Sequence, residues 1–396
     1  MTPTTEQGVI EAIQAAHDAQ EPLAIAGRNS KQGLLRPVQA ARTLSTAALT
    51  GITLYSPSEL IISARAGTKL SEIEAALAEK GQHLIAEPPD FTALFGNAQP
   101  QTIGGIVAAN LSGPRRIAWG ATRDHVMGVR AINGTGETIR SGGRVLKNVT
   151  GLDLCKLLTG SHGTLAVLTE ITLKVLPAPE QTATLILRHL PPQKAVAALS
   201  AALGSPYAVS AAAHLPAAQA ALIPGIGPGP ATLARIEDFA PSVTYRADRL
   251  RTDLAPYGQA DILDHTASKT AWAAIRDAAP LAGLQGAIWR ISVRPSQAPA
   301  IVETLERSFG AAWFLDWGGG LIWIAGPATT ETHTEIATAA QSAGGTHTLF
   351  RAPETLRAAV NVVPPEPPAL ARITRNVKAA FDPKGILNPG RIHAGL

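Results

Sequence analysis

The stretch from Thr102 to Arg116, TIGGIVAANLSGPRR, carries the densest chemical signal in the chain. Gly104 and Gly105 lack Cβ atoms, so a flat ligand can approach the backbone there. The following Val107-Ala108-Ala109-Asn110 is small on most sides and suits a tightly packed helix start. Successive N–H groups in such a turn form an anion-binding concavity. A Gly-rich turn leading into a buried helix would read the same way. A second turn, Gly27-Arg28-Asn29-Ser30-Lys31, follows a short apolar strand. It offers consecutive amides, an Arg and a Lys to a pyrophosphate, or it is an ordinary strand-ending loop.

A carboxylate ligand needs a cation, and proton transfer needs a titratable base in reach. Arg115 and Arg116 are the candidate carboxylate or partner contacts, and no catalytic residue is assigned. His214, His265, His333 and His347 form no His-rich cluster and read as surface or internally satisfied histidines. Asp316-Trp317-Gly-Gly-Gly320 reads as a hairpin turn. No metal site is expected. The single cysteine, Cys155, excludes an intrachain disulfide and any cysteine-ligated cluster within the chain. It reads as a small buried apolar residue.

These residues need large scaffolds around them. The 396 residues are 45% hydrophobic and only 16% charged, which gives substantial cores and two or three domains. A net charge of +4, spread along the chain without an aromatic-rich basic run, argues against nucleic acid. An acidic substrate or partner remains compatible with it. The N-terminus lacks a signal-peptide pattern, and no apolar run reaches the ~20 residues of a membrane span. A cytoplasmic protein is expected, docked on a membrane at most through others.

Apolar spacing predicts a first helix over 6–20 and a strand over 22–26. Strands follow at 53–55 and 60–65, and then a helix opened by a Ser71–Glu74 capping box. Val129–Ile132, Asn133-Gly134 and Glu137–Arg140 form a hairpin pattern. A short helix covers 152–158, and 167–176 alternates as a long strand. Pro177-Ala-Pro179 marks a domain boundary. Beyond it, strands at 183–188, 287–294 and 321–325 alternate with helices at 192–203, 297–309 and 330–343. That pattern predicts an antiparallel sheet with helices on one face. IPGIGPGP at 223–230 is a loop, since its prolines contradict a dinucleotide-binding turn. A last helix covers 368–381.

Five segments in order carry a resemblance: AGRNS at 26–30, EPP at 87–89, TIGGIVAANLSG at 102–113, GSHGTLAVLTEITLKVLP at 160–177 and DPKGILNPGR at 382–391. Together they resemble the FAD-binding family typified by vanillyl-alcohol oxidase and p-cresol methylhydroxylase (PCMH). GPRR at 113–116 and GGRVLKNVTGLDL at 142–154 narrow the resemblance to the smaller FAD-binding (E) subunits of glycolate oxidase complexes. The resemblance implies an α+β fold. A two-lobed PCMH-type FAD-binding domain would occupy 1–177, with lobes of about 1–54 and 55–177. An α+β cap would occupy 178–367, and 368–396 would return to the FAD domain.

It also implies contacts with non-covalent FAD. Gly27, Arg28, Asn29, Ser30 and Lys31 would wrap the pyrophosphate. Thr102, Gly104, Gly105, Ala108, Asn110, Ser112 and Gly113 would line the cofactor toward its ring, with Pro88 and Asp124 alongside. Gly163, Thr164, Val167 and Leu168 would approach the adenosine. His162 and Leu152 depart from residues common in the family; His162 lies on the adenine side, away from a covalent flavin link. The implied function is glycolate oxidation to glyoxylate, with electrons passed to a larger FAD-containing subunit and an iron–sulfur subunit. A stand-alone FAD oxidoreductase on another hydroxy acid or a sugar lactone, or a non-catalytic assembly subunit, stays open.

Overall fold

A computed structural model describes residues 1–143 and 152–396. The first helix, Glu6–Ala19, starts where the Thr5 hydroxyl accepts from the Gly8 amide at 3.1 Å. Its Val9, Ile13 and Ala16 share a core with Leu23 and Leu44 of the parallel strands Leu23–Ala26 and Arg42–Ser45. The C-terminal tail completes this lobe. Leu23 N donates to Ile386 O at 2.7 Å and Asn388 N to Leu23 O at 3.0 Å, so the tail lies beside Leu23 as a further strand would.

A second sheet follows the order Ile52–Ser56, Ile61–Arg65, Ala166–Pro177, Val126–Asn133, Thr138–Gly142, all antiparallel. Gln82–Leu84 pairs with the far end of Ala166–Pro177. The helices Leu70–Ala78 and Ile103–Ala108 bury Ile73, Leu77, Ile106 and Val107 in the same core as Ile62 and Ile171. Two local expectations change. The Ser71–Glu74 capping box does not form: the helix begins at Leu70 with Lys69 as an uncapped N-cap. Tertiary backbone pairing wins there, because Leu70 N donates to Gln101 O at 3.0 Å and Lys69 bridges Thr102. The hairpin after Val126–Asn133 forms, but its turn spans Asn133 to Glu137. Asn133 Oδ1 accepts from Thr135 N and Glu137 N, and Gly136 takes φ 84°.

Sheet membership changes between Pro177 and Gln181. The third sheet is antiparallel and eight-stranded among the described residues. Its order is Ala260–Leu263, Gln181–Arg188, Ala231–Asp238, Ala211–Leu215, Ala312–Asp316, Leu321–Gly326, Ala287–Ser292, Thr346–Arg351. The helices Pro192–Leu203, Ala240–Asp253, Ala298–Phe309 and Thr330–Ser342 cover its outer face. Helices on one face alone is not what forms. His265–Arg276 lies against the inner face, where Trp272 Nε1 donates to Thr184 Oγ1 at 3.0 Å. That inner face also meets the second lobe, since Arg235 reaches Glu87 across it. The helix Pro368–Phe381 leads into the tail, and its Lys378 is buried with Nζ donating to Thr164 O, Leu387 O and Asp382.

Candidate functional site

The strand Leu23–Ala26 ends at Gly27, and the chain then turns through residues 28–31 with Asn29 in the left-handed region (φ 58°). The backbone amides of Gly27 to Lys31 donate to no acceptor among the described residues. They border a cavity of 420 Å³ that also touches both lobes, the tail and the cap. Of the residues expected at the cofactor, Gly27, Arg28, Asn29, Ser30, Lys31, Thr102, Gly104, Gly105, Ala108, Gly163, Val167 and Leu168 come together on its wall. A volume of this size is typical of a small-molecule or cofactor site.

The wall is positively charged. Lys31 Nζ donates to Gln101 Oε1 at 3.0 Å and Ser30 Oγ at 3.1 Å and forms no ion pair among the described residues. Burial pushes its ammonium down to about 8. Arg28 Nε is buried with no partner. Arg357 and Arg391, which sequence reading missed, also line the cavity and donate to carbonyls: Arg357 Nη1 to Leu35 O at 2.9 Å, Arg391 Nη1 to Arg36 O at 2.9 Å. Burial and the neighbouring Arg357 lower Arg391 to about 10. Among the described residues Glu354 is the one carboxylate on the wall. Unspent amides, an orphaned guanidinium nitrogen and an uncompensated ammonium fit a polyanionic ligand such as the pyrophosphate of a dinucleotide. His162 also lines the cavity, held neutral at about 3 by burial and by Arg391 and Lys31.

The two central glycines do different work. At Gly104 a Cβ would stand 2.7 Å from Ala66 Cβ and 2.8 Å from Ala66 O, so the helix packs directly on the lobe backbone. At Gly105 it would meet Thr102 Oγ1 at 3.3 Å and Lys31 Nζ at 3.6 Å, on the cavity side. The helix amides are not an open anion cradle: Ile103 N donates to Thr68 O, Gly104 N to Ala66 O and Gly105 N to Thr102 Oγ1. The positive charge comes from Arg28 and Lys31 of the 27–31 turn, with Arg357 and Arg391.

Six expected residues lie off this cavity. Asn110 Oδ1 accepts from Arg123 N, Ser112 Oγ pairs with Thr122, and Asp124 accepts from Ala121 N. Thr164 Oγ1 donates to Ser161 O. Gly113 packs against Glu87, with its N donating to Ala86 O and its O accepting from Trp317 Nε1 at 3.2 Å. Pro88 lines a separate 350 Å³ cavity between the second lobe and the cap.

That second cavity borders a buried ion network. Arg235 forks onto Glu87 with two 2.9 Å bonds, and Arg115 onto Glu237 at 3.0 and 2.7 Å. Burial alone would raise Glu87 and Glu237, but Arg235 and Arg115 hold both below the usual carboxylate range. Arg115 also contacts His83, whose burial and cationic neighbour lower it to about 4. Arg115 is therefore spent on the network and is not available as a carboxylate anchor. Arg116 is not: it stacks 4.5 Å over Trp317, and the cap residue Arg290 lies 5.4 Å from the same ring.

The comparisons with known proteins follow this geometry. Residues 1–142 match the family described as FAD binding domain, and residues 366–392 match FAD linked oxidases, C-terminal domain. The chain is 36% identical over 391 residues to glycolate oxidase subunit GlcE of Escherichia coli (strain K12), a match covering 98% of each chain. The chain belongs to the FAD-linked oxidase family. FAD is the cofactor of this family, and the first family match spans the 27–31 turn and the 102–113 stretch. Two solved structures share the fold. One is 4-ethylphenol oxidase from Gulosibacter chungangensis, with TM-score 0.76, 14% identity and coverage of 100% of this chain and 89% of that one. The other is p-cresol methylhydroxylase with TM-score 0.74, 12% identity and coverage of 100% and 88%.

The remaining candidates of this FAD-linked oxidase fall into structural roles. His333 and His347 are buried, not at the surface, with rings 5.3 Å apart, and His333 Nδ1 accepts from Trp289 Nε1. His214 is buried against Thr232, and His265 accepts from Thr182 N. Cys155 is buried with its thiol pushed up by burial. Asp316-Trp317-Gly318-Gly319-Gly320 joins two adjacent strands as a tight turn. Leu152 is exposed. Among the described residues no group of three His, Cys, Asp or Glu could hold a metal, and no helix is long and apolar enough to cross a membrane. Most of GGRVLKNVTGLDL, residues 144–151, lies outside the described residues.

Proposed function

We propose that the chain is the smaller FAD-binding subunit of a complex that oxidises glycolate, a 2-hydroxy acid, to glyoxylate. The end-to-end likeness to glycolate oxidase subunit GlcE carries this reading. Residues 1–177 and the returning 368–396 form the FAD-binding unit, and 178–367 form the cap. FAD is held without a covalent bond. The amides of Gly27 to Lys31, with Arg28 and Lys31, neutralise the pyrophosphate. Thr102, Gly104, Gly105 and Ala108 flank it, and Gly163, Thr164, Val167 and Leu168 face the adenosine. Asn110, Ser112 and Gly113, off the 420 Å³ cavity, would meet the cofactor only where it extends beyond that cavity toward the cap, with Pro88 and Asp124 alongside. When bound, FAD supplies a two-electron acceptor. His162 packs beside it as a neutral ring and adds no competing charge. The inner face of the cap sheet excludes water from the reacting end.

One cysteine leaves no cluster in this chain, so electrons pass onward to a larger FAD-containing subunit and an iron–sulfur subunit. The complex works on the cytoplasmic side, peripheral to the membrane through those partners. A tagged chain purified with its partners tests the reading. Flavin absorbance that leaves with the supernatant after acid precipitation is expected, together with two co-purifying subunits. A chain purified without flavin, and unable to take up added FAD, overturns it.

A further inference from the structure

We propose that Arg290 and Arg116 form a clamp for the carboxylate of a small 2-hydroxy acid, placed between the cap and the FAD-binding lobes. The proposal rests on the oxidase reading above and adds a site to it.

Strand register puts Arg290 on the inner face of the cap sheet. It lies opposite Trp323, which lies opposite Phe314, and Asp316 follows two residues later on the same face. Three aromatic rings enclose its guanidinium: Trp323 at 5.0 Å, Trp317 at 5.4 Å and Phe350 at 5.5 Å. Protein surrounds the group, yet among the described residues it makes no hydrogen bond and no ion pair, and Nε is buried without a partner. Burial and the nearby Arg116 pull it down to about 10. Asp316 attracts it through space but makes neither a hydrogen bond nor an ion pair with it, and the attraction does not offset burial. That carboxylate accepts from Trp317 N at 2.7 Å, and burial pushes it up to about 7.

Arg116 approaches from the FAD-binding lobe, 4.5 Å from the centre of the same Trp317 ring, and among the described residues it too forms no ion pair, with Asp124 attracting it only through space. Trp317 is held in a left-handed conformation (φ 53°) and tied to Gly113 O, so both cations sit beside the loop that leads toward the flavin ring. A desolvated guanidinium without a counter-ion is unfavourable, and a carboxylate that accepts from its fork removes that penalty. The contrast with Arg115, Arg235 and Arg276 is direct, because each of those is paired within the chain. The aromatic walls restrict the anion to a small one and strengthen the pairing by excluding water.

The test uses the FAD-loaded full chain and oxalate, a two-carbon carboxylate with no oxidisable hydroxyl. Binding is followed by calorimetry and by tryptophan fluorescence. Arg290→Met is expected to weaken oxalate by about 10- to 100-fold with its flavin content unchanged. Arg290→Lys, which keeps the charge and loses the fork, should weaken it about tenfold. Trp317→Phe should remove most of the fluorescence response. Flavin-replete wild type that ignores millimolar oxalate overturns the clamp. So does Arg290→Met binding oxalate as tightly as wild type, or inorganic phosphate competing as well as oxalate does. Should Arg290→Met lose FAD or fold, unchanged oxalate binding by flavin-loaded Arg290→Lys overturns it equally. Failure of wild type to hold FAD is a separate result and sinks the oxidase reading, not the clamp.

Discussion

Replacing Lys31 by Met separates a binding role from a structural one, because the two predict opposite signs. In the ligand-free fold the ammonium is desolvated and forms no ion pair among the described residues; burial outweighs the attraction of Asp90 and lowers it from 10.5 to about 8. A displacement of that size corresponds to about 3 kcal/mol of unfavourable charging, at ~1.36 kcal/mol per pKa unit. The unfolded chain binds more protons than the folded one between pH 8 and 10.5, so folded stability rises with pH across that window. The deficit is fully present at pH 7 and gone above 10.5. Met fills nearly the same volume without the charge. Lys31→Met is therefore expected to melt at or above wild type at pH 7 without FAD, and to lose that advantage as pH passes 8. With FAD the order reverses. One lost charge-assisted bond to a phosphate is worth about 1.5–3 kcal/mol, or about 10- to 150-fold in Kd. The stabilisation by saturating FAD falls by the same energy. Thermal melts at pH 7 and 9, with and without FAD, together with a flavin titration, read both effects. A variant that melts lower without FAD and binds FAD as wild type does would refute the reasoning.

Three further outcomes follow from the same coordinates. Gly104→Ala should destabilise the apoprotein by about 1–3 kcal/mol, because the new methyl meets Ala66 backbone; Gly105→Ala should leave the apo melting temperature near wild type and weaken FAD through Lys31, checked by paired melts and titrations. Arg235→Met should cost about 3–5 kcal/mol in urea unfolding, since Glu87 stays buried without its paired cation and Glu237 keeps Arg115 alone. Acid should destabilise wild type as pH falls below the ordinary carboxylate value of about 4.3, because Glu87 and Glu237 have folded values below it and contribute only above it; Glu237→Gln should flatten that part of the stability–pH curve.

The sequence carried the elements and their order further than it carried their electrostatics. Helix ends such as Glu6–Ala19 and strands such as Ala166–Pro177 follow from short-range periodicity, which one window of residues contains. The 27–31 turn was equally legible, because its amides, Arg28 and Lys31 are neighbours in the chain. Ser71 failed as a cap because Gln101 and Thr102, thirty residues away, decide where that helix begins. Gly104 and Gly105 are adjacent and look alike in sequence, yet one answers to Ala66 and the other to Lys31. Arg357 reaches the cavity from a distant segment with no local mark, and Arg391 closes the 382–391 segment without being singled out as a cavity residue.

The cation for an anionic substrate shows the limit most clearly. Arg115 and Arg116 are consecutive and stand beside the glycine stretch, so proximity in sequence made them equal candidates. Glu237 comes from a strand more than a hundred residues later, and it takes Arg115 out of play. Arg290 was passed over because AIWRISVR reads as a plain strand. In a strand with one face toward solvent, the polar positions are expected outward. Here the outward face is covered by four helices and carries Ile291 and Trp289, so the alternation puts Arg290 on the side facing the FAD-binding lobes. A cation on the buried face of a covered sheet, with aromatic rings around it and no ion pair among the described residues, is the position the proposed clamp answers with a substrate carboxylate. That condition depends on three strands and a turn being in register at once, which no window of sequence contains.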